Sequence, residues 1–109
     1  MYLFEGCYLM IGEDGGNFYT KRDNSFIATG KFWANNHVHI VQPYQINIYY
    51  LKHFLDSCNL PGMGLITGIA VPKLNQENLN SILVPIPPKN EQNRIVEKIN
   101  AVQDAINCL

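Results

Sequence analysis

Three prolines, Pro85, Pro87 and Pro88, stand within four residues of one another, and neither a helix nor a central strand can run through them. Proline fixes its own φ, has no N–H to donate and drives the residue before it out of the α region. The chain is therefore extended here, whatever lies on either side. Upstream, Ile82-Leu83-Val84 reads as the last apolar piece of a compact body. Downstream, Asn90 offers an oxygen for an N-cap and Glu91 puts a carboxylate in a first helical turn. The prolines mark a hand-over from body to helix, and the pattern predicts a helix from about residue 91 to the C-terminus.

That helix carries a seam. Ile95, Ile99, Val102, Ile106 and Leu109 recur at intervals of four, three, four and three, which is a heptad stripe. It is too short to stand alone as a coiled coil, so it requires either a partner helix or the domain body.

The body reads as small and α+β. A chain of 109 residues makes one core, not two. Strands are expected over 7–11, 17–22, 25–29 and 37–41, with extended pieces over 65–70 and 82–86, the last at an edge or strand end because of Pro85. Glu13-Asp14-Gly15-Gly16 and Gly30 read as turns. A helix over 46–58 would turn Tyr50, Leu51, Phe54 and Leu55 inward. A shorter one over 76–80 takes Asn75 as N-cap, with Asn78 third in line. The expected fold is a small mixed sheet with packed short helices and a projecting C-terminal amphipathic helix.

Composition excludes some classes of function. No apolar run reaches membrane-spanning length and the N-terminus lacks a signal-peptide pattern, so the expected location is the cytoplasm and no membrane is involved. The cysteines, Cys7, Cys58 and Cys108, are odd in number and far apart, which predicts reduced thiols, with Cys7 in a strand core. No glycine-rich nucleotide loop or nucleophile elbow occurs, so catalysis has no support. The net charge is only −1, against gross attraction to nucleic acid. Its distribution is uneven. From Asn17 to His53 the bases Lys21, Arg22, Lys31 and Lys52 face one acid, Asp23, and all three histidines lie there too. Such a segment suits a solvated polar surface or a local DNA-binding face.

Three constellations could carry chemistry. Lys21, Arg22 and Lys31 are interleaved with Tyr19, Phe32 and Trp33, as on surfaces where cations position phosphates, although Trp33 is expected in the core. Asn35 and Asn36 carry amides able to read adenine. His37 and His39 would share one strand face, with three readings: a structural or turn role, DNA contact, or a metal site completed by Glu13 or Asp14.

The run Leu74-Asn75, Pro85-Ile86-Pro87-Pro88, Glu91-Gln92 and Arg94-Ile95-Val96 resembles the end of a target recognition domain in the specificity subunit of type I restriction–modification enzymes. Ile11-Gly12-Glu13-Asp14-Gly15 and Asn35-Asn36-His37-Val38-His39 also look like segments of that family, in the same order. The resemblance covers nearly the whole chain. It implies a partial recognition domain over 1–86, a Pro-Pro linker over 87–90 and the start of a spacer helix over 91–109. It implies a non-catalytic module that grips double-stranded DNA; base-reading residues vary in this family, so it equates no position with a base, and the candidate contacts remain those read from the residues themselves, Lys21, Arg22, Lys31, Asn35, Asn36, His37, His39 and Lys73. Ile95, Ile99, Val102 and Ile106 would pack on a partner helix, with a homodimer as one form of that pairing. Methyltransferase (modification) and restriction subunits would be the partners. S-adenosylmethionine, ATP and Mg would belong to them, with no cofactor on this chain. The family's domain has more chain ahead of the Glu-Asp-Gly turn, and a full subunit has two such domains. The chain is therefore expected to be a fragment, a truncated reading frame or a half-size subunit that dimerises. Two other classes stand beside this: an assembly domain acting through its last helix, and a small metal-binding domain built on the histidine pair.

Overall fold

The structure, a computed structural model, describes residues 2–13, 23–34 and 37–108. Strands β1 (Tyr2–Gly12), β2 (Ser25–Ala34) and β3 (Val38–Val41) form a sheet in the order β2-β1-β3. All its pairings are antiparallel, where a mixed sheet was expected. Helix α1 (Ile48–Ser57) covers one face, placing Leu51 and Leu55 against Leu9 with Ile27 and Val41 around them. Asn47 caps α1, its side-chain oxygen accepting from the N–H groups of Tyr49 and Tyr50.

The β1–β2 ladder is longer than the sequence reading, and it is bent. Ala34 ends β2 opposite Tyr2, and Val38 starts β3 opposite Gly12. A straight β1 would hold those two points roughly 33 Å apart. The four-residue step between them reaches at most about 14 Å. The ribbon is therefore folded over, and its pivot is the cross-strand pair Gly6 and Gly30, with φ of 129° and 83°. Gly30 is thus inside a strand, not a turn between two. Phe4, Tyr8 and Phe32 fill the concave side, their ring centroids 5.5 to 5.8 Å apart. Ala34 returns far enough to line a cavity of about 260 Å³ with Met10, Phe26 and Val38.

Bending leaves Leu3, Glu5, Cys7, Thr29, Lys31 and Trp33 on the convex side, all exposed. Two core assignments are corrected here. Trp33 is 66 % exposed, because its register sets it opposite Leu3 on the outer surface. Cys7 shares a strand face with the buried Leu9, yet it too is exposed.

A second small sheet pairs β4 (Ile66–Thr67) with β5 (Lys73–Leu74), also antiparallel. Leu74 and Leu60 join Ile11 in a second core cluster. Helix α2 (Gln76–Asn80) follows, capped as expected by Asn75, whose oxygen accepts from the Asn78 N–H. Residues 82–86 join neither a helix nor a ladder. Ile82 and Val84 still turn inward, Ile82 touching both cores, while Leu83 is exposed.

The last helix, α3 (Lys89–Asn107), starts two residues before the expected point. Pro88, not Asn90, is its N-cap. The Pro88 carbonyl accepts from the N–H groups of Glu91 and Gln92, and no side chain caps the end. The first half of α3 docks on the body through Gln92 and Val96, with Ile95 and Ile99 half-buried. Every described residue from Asn100 onward is exposed.

Candidate nucleic-acid interface

Three of the candidate residues gather at the end of the sheet where β1 stops and β3 begins. The Glu13 N–H donates to the His37 carbonyl at 2.9 Å, and the Glu13 carbonyl accepts from the Leu74 N–H at 2.6 Å. Leu74 is fully buried, so its own carbonyl needs a donor. His39 supplies it: Nε2 lies 2.5 Å from that oxygen and therefore carries the proton. His39 is on the core-facing side of β3, opposite Ile11. This ring nitrogen is structural, joining β3 to β5, while His37 is exposed in the turn just before β3, so the two histidines do not share the expected strand face. Lys73 is exposed on β5, next to Leu74 in the chain.

Lys31 stands apart from that group, on the convex side of the ribbon with Trp33 two residues on. Its cross-strand partner is Glu5. Lys21, Arg22, Asn35 and Asn36, together with Asp14 and the expected strand over 17–22, lie outside the described residues.

Lys52 belongs to the structure rather than to an outward basic face. Its ammonium donates to Asp56 Oδ2 at 2.5 Å, to the Ser25 carbonyl at 2.8 Å and to Asp23 at 3.3 Å. The other Asp56 oxygen accepts from the N–H and hydroxyl of Ser25. Asn24 donates to the Leu55 and Cys58 carbonyls. Together these bonds hold the start of β2 against the last turn of α1. Cys58 sits beside that cluster. Burial pushes its thiol pKa up, and the charge of Asp56 adds to the effect.

The seam on α3 divides in two. Ile95 and Ile99 are half-buried, whereas Val102 and Ile106 are 49 % and 59 % exposed. Sequence reasoning missed Gln92, which is only 1 % exposed. Its Oε1 accepts from the Asn47 N–H and its Nε2 donates to the Pro87 carbonyl, both at 2.8 Å. Around it Asn47 Nδ2 donates to Asn93 Oδ1, and the Tyr50 hydroxyl donates to the Pro85 carbonyl, again at 2.8 Å. The signal was present: Gln92 precedes Val96 by one helical repeat and so shares its face.

Among the described residues no three metal-ligating side chains come together. No helix among them is long and apolar enough to cross a membrane.

Comparison with known proteins gives a consistent answer. Residues 4–108 match the family model of the type I restriction modification DNA specificity domain. A curated Haemophilus influenzae protein, named as a type I restriction enzyme specificity subunit, is 38 % identical over 104 residues. That alignment covers 93 % of this chain and 26 % of the relative, so the chain spans about a quarter of the length of the protein it matches.

Proposed function

The chain belongs to the type I restriction modification DNA specificity domain family, and on that premise we propose that it is a non-catalytic, sequence-specific DNA recognition module of the cytoplasm. The family match across nearly the whole chain is the observation that carries this reading. Exposed Lys31 and Lys73 supply cations for phosphates, joined by Lys21 and Arg22. Asn35, Asn36 and His37 supply groups able to meet base edges, and His39 braces the strand that presents His37. Methyl transfer with S-adenosylmethionine, and restriction with ATP and Mg, belong to the modification and restriction subunits that the module directs.

The test is a salt series on the purified chain with duplex DNA. Replacing Lys21, Arg22, Lys31 or Lys73 with alanine is expected to weaken binding to every sequence and to lower the salt slope by about one for each phosphate left without its cation. Replacing Asn36 or His37 is expected to change which sequence is preferred. Binding indifferent to salt and to all these changes refutes the reading.

The exposed half of the α3 seam supports a second activity of the same module, assembly through α3 with a partner helix, including that of another copy. Ile106→Glu tests it without disturbing the body. Sedimentation should show the self-association of the parent chain abolished in the variant. A parent that is already monomeric removes the homodimer.

A further inference from the structure

We propose that Gln92 is a positioning residue, one that fixes the angle at which α3 leaves the body. Docking of α3 rests on two kinds of contact. Val96, with Ile95 and Ile99 beside it, supplies apolar burial, which is non-directional and tolerates rolling or tilting of the helix. Gln92 supplies direction. One end of its amide holds the N–H at the N-cap of α1, and the other holds the last carbonyl before Pro88. A single planar group therefore ties three pieces together: the body helix, the extended prolines and the first turn of α3.

Full burial makes that tie costly to break. With Gln92 1 % exposed, water cannot replace either bond without entering the interface. Neighbouring bonds, Asn47 to Asn93 and Tyr50 to Pro85, close the joint on both sides of the amide. The joint is thus a rigid elbow and not a flexible linker, although the segment is proline-rich and lacks a side-chain cap. What the angle does rests on the reading of α3 as an assembly arm: it would set the DNA-gripping body at one fixed attitude to whatever docks on the helix. The joint itself does not depend on that reading.

Two native thiols make the angle measurable. Cys7 is exposed on the convex side of β1, and Cys108 is exposed at the end of α3. With Cys58→Ala to silence the third thiol, spin labels on Cys7 and Cys108 report the body-to-arm distance by pulsed dipolar spectroscopy. Labelled chain is diluted into unlabelled chain so that distances between copies drop out. The parent is expected to give one narrow distribution, and Gln92→Ala a broader one with a shifted mean, at unchanged helix content by circular dichroism.

Gln92→Glu gives the decisive comparison. A protonated Glu matches the amide, accepting from the Asn47 N–H and donating to the Pro87 carbonyl. The carboxylate instead sets a negative oxygen against that carbonyl. The variant should be broad at neutral pH and return to the parent distribution on acidification, while the parent stays narrow throughout. Should Gln92→Ala fail to fold, this pH pair still decides the matter. An unchanged distribution in Gln92→Ala, or one in Gln92→Glu that ignores pH, overturns the proposal. Failure of the parent to bind DNA would remove the recognition reading and leave the elbow standing.

Discussion

Gly6 and Gly30 face each other across the β1–β2 ladder, and both have positive φ. The pair is the hinge line of the folded ribbon. Because neither residue has a Cβ, the ladder keeps its register through the bend, and the Tyr8 ring swings over Gly6 to within 3.4 Å of where a Cβ would be. Rings covering a glycine in this way restore packing that the missing side chain would have supplied.

Gly30→Ala is expected to destabilise the chain by about 1–2 kcal/mol, a cost of backbone conformation alone, since no atom lies within 4 Å of the added carbon. Gly30→Asn should cost less, because asparagine tolerates positive φ better. Urea unfolding of the three proteins gives the order, and an alanine variant as stable as the parent would show that the bend is pivoted elsewhere.

Asp56→Ala should lose roughly 2–3 kcal/mol, because the half-buried Lys52 ammonium and the Ser25 N–H and hydroxyl all lose a charged acceptor. Asp56→Asn keeps one oxygen for Ser25 and should lose less. Chemical denaturation ranks them; equal losses would mean that the Ser25 bonds contribute little and that the Lys52 pair carries the effect.

His39→Phe should cost about 1 kcal/mol or somewhat more by leaving the buried Leu74 carbonyl without its donor. Faster hydrogen exchange of the neighbouring Leu74 N–H should accompany the loss, as β5 loosens from β1. Melting temperature and exchange read together would reveal an unaltered β5, which would deny His39 this role.

Thiol modification should be slowest at Cys58, the least exposed of the three and the one whose pKa burial raises. Cys7 and Cys108 are expected to react first with a disulfide reagent and Cys58 last. The sign of the pH effect follows. The folded Cys58 pKa is raised, so the folded state holds its proton where the unfolded state has begun to lose it. Stability is complete below the unfolded thiol's value and falls as pH rises from there through the folded one. Replacing Cys58 with alanine should flatten that alkaline decline; an unchanged slope would place its origin in other groups.

Local signals proved readable wherever they were local in cause. The apolar spacing of Leu51 and Leu55, the cap Asn75 and the first-turn acid Glu91 appear where the sequence placed them. Strand β3 pairs in the expected segment but starts at Val38, so only His39 of the two histidines lies in it. What misled the reading was long-range. Gly30 has the chemistry of a turn, and only its partner Gly6 makes it part of a ladder. Trp33 has the composition of a core residue, and only the bend puts it outside. Ile82 and Val84 alternate like a strand and face inward like one, but among the described residues no strand lies alongside to pair with them. Lys52 counts toward a basic face in the sequence, yet in the fold Asp56, one turn away, pairs with its charge and the Ser25 carbonyl accepts from its ammonium. Gln92 was passed over because the stripe was read from apolar residues alone, and a buried amide announces itself only through what it bonds.

At the elbow, both atoms that Gln92 grips are main-chain atoms, the N–H of Asn47 and the carbonyl of Pro87. Backbone groups are common to almost every amino acid. The body can therefore change its side chains widely and still present the same handle to α3.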